Sequence, residues 1–211
     1  VALTFYTNPM SRGRIARWML EEIGAPYETV VLDYGTTMKA PDFLAINPMG
    51  KVPTIVHDDR VVTEGAAICA YLADMFPHAG LAPTDEERAA YYRWMFYAAG
   101  PVEAAVTNKS LDVDVPADKS AMVGYGSFDA VVETLEKAVT ASPYLAGDRF
   151  TAADVYAGSQ IVWGVMFGSI PKRPAFEDYI ARVSARPAAV RAREIDDALV
   201  AEAKRGQAEA Q

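Results

Sequence analysis

Asn47-Pro48-Met49-Gly50-Lys51-Val52-Pro53-Thr54-Ile55 (NPMGKVPTI) is the segment from which the rest of the chain can be ordered. A proline just ahead of a β-branched run removes one ladder donor, so it belongs at the first residue of a strand or at an edge. A cis Val52–Pro53 bond reverses the chain there and leaves Val52 free to offer its N–H and C=O to an extended peptide, as an added strand. Only about 5–6% of X–Pro bonds in folded proteins are cis. The motif therefore takes its meaning from what surrounds it.

Downstream, Thr54–His57 and Arg60–Thr63 are short β-branched runs, and Asp58-Asp59 between them suits a tight hairpin. Glu64 and Gly65 then open a helical pattern, Ala66–Phe76. Upstream, Leu3–Thr7 and Tyr27–Leu32 are strand candidates. Ile15, Trp18, Met19 and Glu22 between them follow helical spacing and stop at Gly24, as before a C′ glycine. Phe43, Leu44 and Ile46 predict a short helix ending near Asn47-Pro48. The order is β-α-β-α-β-β-α, an α/β domain whose first two strands, joined through a helix, run parallel. A helix N-terminus presents unpaired N–H groups and a partial positive charge, a ready carboxylate site. Glu64 beside it can accept from an ammonium group, although an acidic residue at a helix start also stabilises the dipole by about 0.3–1 kcal/mol.

Pro77–Pro83 (PHAGLAP) is a proline- and glycine-bearing connector. It divides the chain into an α/β domain over 1–77 and an all-α domain over 84–211. Helices are expected at Asp85–Val106, Lys119–Thr140, Ala152–Gly168, Ala175–Ala185 and Ala188–Arg205, with a polar, frayed tail over 206–211. Tyr91–Tyr97 (YYRWMFY) is apolar in nearly every helical direction and must be covered on several sides. Val155–Ile170 falls short of the roughly 20 apolar residues that span a bilayer and reads as a buried helix.

A net charge of -8 disfavours nucleic acid, since phosphate binding needs clustered Lys and Arg. The single cysteine, Cys69, has no internal disulfide partner, which points to a reducing compartment, here the cytoplasm. The sequence opens without the features of a signal peptide. His57 and His78 show no metal-binding spacing. No metal, membrane or nucleic-acid partner is expected.

These motifs together resemble the glutathione transferase family along nearly the whole chain. Thr7-Asn8-Pro9-Met10-Ser11-Arg12-Gly13-Arg14 resembles the family's first strand-to-helix turn, Asn47–Pro53 its proline motif, and Thr63-Glu64-Gly65 its glutamate-serine site. Thr151-Ala152-Ala153-Asp154 resembles its interior-helix capping box. The resemblance implies a thioredoxin-like domain followed by an all-helical domain that holds an apolar electrophile and makes the contacts of a homodimer. It implies glutathione bound along Val52, Pro53, Glu64 and Gly65, with Lys39 and Lys51 reaching the glycyl carboxylate. The family's serine is replaced by Gly65, which keeps the backbone N–H and loses a hydroxyl contact.

Glutathione chemistry needs the thiolate, and an unperturbed thiol has a pKa near 8.5. Lowering it by two units requires about 2.7 kcal/mol of preference for the anion. A helix dipole supplies about 0.3–1 kcal/mol and a hydrogen bond to a charged group about 1.5–3, so one placed donor plus the dipole suffices. Ser11 aligns with the hydroxyl or thiol residue of bacterial members and stands first. Thr7, Asn8 and a backbone N–H are the alternatives. The expected activity is detoxifying transfer of glutathione to an apolar electrophile. Isomerisation, dehalogenation, ether cleavage, peroxide reduction, or binding without turnover use the same fold.

Overall fold

The structure is a computed structural model that describes residues 2–209, the side chains of Gln207 and Glu209 excepted. Residues 1, 210 and 211, at the ends of the two expected domains, lie outside it. The chain forms two compact units, Val1–Gly80 with Arg186–Gln211, and Leu81–Ala185.

The first unit carries strands β1 (Leu3–Thr7), β2 (Glu28–Val31), β3 (Thr54–His57) and β4 (Arg60–Thr63) in the order β2-β1-β3-β4. β1 runs parallel to β2 and antiparallel to β3, and β3 and β4 form the hairpin closed by Asp58-Asp59. Helices α1 (Gly13–Ile23), α2 (Pro41–Ile46) and α3 (Gly65–Met75) complete the expected β-α-β-α-β-β-α order. Alternation along β1 sends successive side chains to opposite faces of the sheet. Phe5 is fully buried under Arg17 of α1, whose guanidinium carbon sits 4.9 Å from the ring centre. Tyr6 faces the other way and packs with Leu32, Met38 and Phe43. Gly24 ends α1 in the left-handed region (φ 66°), and its N–H reaches the Leu20 carbonyl.

Helix α9 (Pro187–Glu209) belongs to this unit by its contacts, packing along α1. The sequence pattern alone assigns it to the helical domain, with a frayed end from 206. Its register of charge explains the docking: Arg186 pairs with Glu22, Arg191 with Glu21, Asp196 with Arg17 and Asp197 with Arg14.

The second unit is helical: α4 (Arg88–Tyr97), α5 (Glu103–Ser110), α6 (Phe128–Ala141), α7 (Ala152–Phe167) and α8 (Pro174–Ser184). The single helix expected over 85–106 is instead interrupted by a wide turn, Ala98–Val102, that contains Gly100 and Pro101. Proline has no N–H to give the helical ladder, so the turn widens there. Where a helix is expected from Lys119 the chain forms a short 3₁₀ turn, Ala117–Met122, and α6 begins only at Phe128, after Gly124 and Gly126, with Ser127 as its cap accepting from Ala130 N at 3.2 Å. Helix α7 is buried around most of its circumference, as its apolar composition requires. The capping box between Thr151 and Asp154 is formed. Asp154 also accepts from Leu145 N and Tyr179 Oη, both at 2.8 Å, which holds α7 to the preceding turn and to α8.

Candidate active site

Strand register gathers the candidate residues at one end of the sheet. Tyr6 lies opposite Thr54 and Thr54 opposite Thr63, while Thr7 lies opposite Val31. The C-terminal end of β1, the segment entering β3 and the end of β4 are therefore neighbours. Thr7, Asn8 and Ser11 follow from the first, Val52 and Pro53 from the second, and Glu64 and Gly65 from the third. The N-termini of α1 and α3, which pack side by side, open at this same end. Both dipoles favour an anion there.

The β1–α1 turn is held almost entirely by its own polar groups. Asn8 is buried; its Nδ2 donates to Leu32 O at 2.8 Å and its Oδ1 accepts from Met10 N at 2.9 Å. Both ends of that amide are committed to shape. The Thr7 side chain is fully buried and, among the described residues, its hydroxyl has no hydrogen-bond partner. It faces Gly13 on the core side of the strand. Ser11 is half-buried: its Oγ donates to Asn8 O at 2.6 Å and accepts from Gly13 N at 2.9 Å. The Asn8 carbonyl also receives the Ser11 N–H at 3.0 Å.

The Asn47–Pro53 loop is built by two buried residues, Asn47 and Thr54, to which the sequence motif gives no role of their own. Asn47 Nδ2 donates to Lys51 O at 2.8 Å and to Thr54 Oγ1 at 3.1 Å, its Oδ1 accepts from Met49 N, and the Thr54 hydroxyl donates to Lys51 O. The visible signal for Asn47 was its place before a proline, where asparagine commonly folds back on the following backbone. The Val52–Pro53 peptide is cis. Among the described residues, neither the N–H nor the C=O of Val52 has a backbone partner. Lys39 Nζ donates to the Met49 and Gly50 carbonyls at 3.1 and 2.7 Å, so it braces this loop. Lys51 is exposed beside it.

Glu64 is exposed, makes no capping hydrogen bond through its side chain, and sits at φ 68° immediately before α3. A non-glycine residue with positive φ stores about 1–3 kcal/mol of strain and persists only where its surroundings impose it. Glu64 directly precedes Gly65, the opening residue of α3. No group of side chains able to hold a metal ion occurs among the described residues.

A four-stranded mixed sheet with an unpaired peptide edge and two helix N-termini at one end, followed by a helical unit, defines a thioredoxin-like two-unit protein. The glutathione S-transferase N-terminal domain model matches residues 10–75 and the C-terminal domain model residues 117–187. The probable glutathione S-transferase GSTF2 of Oryza sativa is 30% identical over 171 residues, covering 76% of this chain and 78% of that protein. A glutathione transferase from Methylococcus capsulatus superposes with a TM-score of 0.76 at 28% identity, covering 93% of this chain and 99% of its own. A glutathione transferase homologue from Sulfitobacter, solved with bound glutathione, gives 0.74 at 29% identity, covering 92% and 98%. The chain belongs to the glutathione S-transferase family.

Proposed function

We propose that the protein binds glutathione at this end of the sheet and uses the Ser11 hydroxyl to hold its sulfur as the thiolate, for attack on an apolar electrophile. The observation that carries the reading is the double pairing of the Asn8 carbonyl. It accepts both the N–H and the hydroxyl of Ser11. The hydroxyl proton can turn to a sulfur while the carbonyl keeps one donor, and Gly13 N–H continues to fix the oxygen. The thiol proton passes to solvent, the sulfur lone pair forms the C–S bond, and the leaving group departs with its electron pair.

The cysteinyl backbone pairs with Val52, the γ-glutamyl ammonium meets Glu64, and its carboxylate meets the Gly65 N–H at the start of α3. Lys51 takes the glycyl carboxylate, with Lys39 fixing the loop that presents it. Thr7 and Asn8 shape the turn. The apolar character of the second substrate is supported by Met10, next to Ser11 in the chain and 71% exposed. Tyr92 and Phe96 lie together on the exposed face of α4, their rings tilted with centres 6.3 Å apart, an apolar surface suited to a second copy of the chain. No helix among the described residues is long and apolar enough to cross a membrane. With Cys69 buried and unpaired, a cytoplasmic detoxifying role suits the protein.

Gly65, where the family usually has serine, favours a second reading in which the protein binds glutathione without turnover. Retention on a glutathione column together with conjugation of a generic electrophile supports the transferase. Retention with no turnover on any electrophile supports the binder, and failure to be retained overturns both.

A further inference from the structure

The Pro9–Met10 peptide, one residue ahead of Ser11, is gripped on both sides. Its N–H donates to Asn8 Oδ1 at 2.9 Å, and its carbonyl accepts from Arg14 Nε at 2.6 Å. The same guanidinium donates through Nη1 to Asp197 Oδ1 on α9 at 2.8 Å. Arg14 therefore joins the turn that carries Ser11 to the C-terminal helix.

That joint is the last rung of a ladder between α1 and α9. Glu22 pairs with Arg186 at 2.7 Å, Glu21 with Arg191 at 3.2 Å, and Arg17 with Asp196 at 3.2 Å. The charges reverse along both helices, which fixes their antiparallel register. The Arg17–Asp196 rung is buried, whereas Asp197 is exposed and holds Arg14 from the solvent side. The Arg14 rung also touches the turn, whereas Arg17 reaches to Tyr27 and Thr29 on the β2 side.

We propose that Arg14 is a positioning residue for the reaction: anchored by Asp197, it fixes the Pro9–Met10 peptide plane and so aims the Ser11 hydroxyl at the sulfur. This rests on the assignment of Ser11 made above. A fixed arginine donates two hydrogen bonds in one plane, which sets direction as well as distance. Lysine at this position keeps the charge but not that fork.

The test is the ultraviolet titration of the thiolate in the glutathione complex, with kcat and the glutathione KM, for the full chain and for Arg14→Met, Arg14→Lys, Asp197→Asn, Arg191→Met and Ser11→Ala. Arg14→Met should raise the bound thiol pKa and lower kcat about tenfold, the scale of one charged hydrogen bond, with KM changed less than about twofold. Arg14→Lys should recover only part of the loss. Asp197→Asn, a change at an exposed position, should shift the titration in the same direction by less. Arg191→Met removes a rung distant from the turn and should lower the melting temperature without moving the titration. An unshifted titration in Arg14→Met overturns the proposal whatever Ser11→Ala shows. An unshifted titration in Ser11→Ala with a shifted one in Arg14→Met sinks the Ser11 assignment and leaves Arg14 as the residue that orders the turn.

Discussion

The Thr7 hydroxyl occupies the space in which a side chain on Gly13 would begin: a Cβ there would lie 2.0 Å from Thr7 Oγ1 and 3.0 Å from Ser11 Oγ. The end of β1 and the start of α1 approach too closely for any residue but glycine, and this closeness brings the dipole of α1 onto the turn.

Gly13→Ala should therefore destabilise the protein by about 2 kcal/mol, the usual scale of overpacking, despite alanine's better helix propensity. Thr7→Ala in the same chain should return part of that loss by removing the nearer oxygen. A double-mutant cycle read by denaturant unfolding measures the coupling, and additive losses would show that Thr7 does not limit the approach.

Ser11→Ala should reduce conjugation about 10- to 100-fold, the cost of a hydrogen bond to a charged group, and should raise the pH at which kcat/KM reaches its plateau. Thr7→Val, by contrast, removes a buried hydroxyl with no partner among the described residues. It should keep activity within about twofold and keep or raise the melting temperature, since an unpaired buried hydroxyl is a cost. A large loss of activity in Thr7→Val would return Thr7 to the list of thiol donors.

Gly65→Ser restores a hydroxyl beside the carboxylate site at the start of α3. A net hydrogen bond of about 0.5–1.5 kcal/mol should tighten glutathione binding about 2- to 13-fold. Titration calorimetry checks this, and unchanged affinity would argue that the γ-glutamyl end lies elsewhere.

Tyr27 donates to Glu21 Oε1 at 2.6 Å and accepts from Arg17 Nη1 at 3.0 Å. Burial first, and then the hydrogen bond to Glu21, push its pKa up to about 12. An unfolded tyrosine ionises near pH 10, so the unfolded chain loses this proton before the folded one does. The contribution is present below pH 10 and lost as pH rises towards about 12. Denaturant unfolding from pH 9 to 12 should show stability falling, and Tyr27→Phe should flatten that fall; an unchanged slope would contradict it.

Much of this architecture was legible because local pattern and tertiary demand agree. Strands at Leu3–Thr7, Thr54–His57 and Arg60–Thr63 follow from β-branched runs bounded by turn residues, and their order puts Val52, Glu64 and Ser11 at one sheet end. What escaped the sequence depends on partners far along the chain. The docking of α9 on α1 rests on ion pairs between residues more than 160 positions apart, such as Arg186 with Glu22. Asn47 and Thr54 are ordinary polar residues until the loop closes around them. The break at Ala98–Val102 is different: Gly100-Pro101 signals it locally, but the apolar run on either side reads as helix across them. Ser11 stands first by position, but the double pairing of the Asn8 carbonyl with its N–H and hydroxyl is visible only in three dimensions.

A crystal structure of the glutathione complex tests the central claim most directly. The tripeptide should lie with its cysteinyl N–H and C=O paired to Val52, its ammonium on Glu64 and its sulfur within hydrogen-bonding distance of Ser11 Oγ. A tripeptide seated away from Val52, or a sulfur held by another donor with the Ser11 hydroxyl still on Asn8, would contradict it.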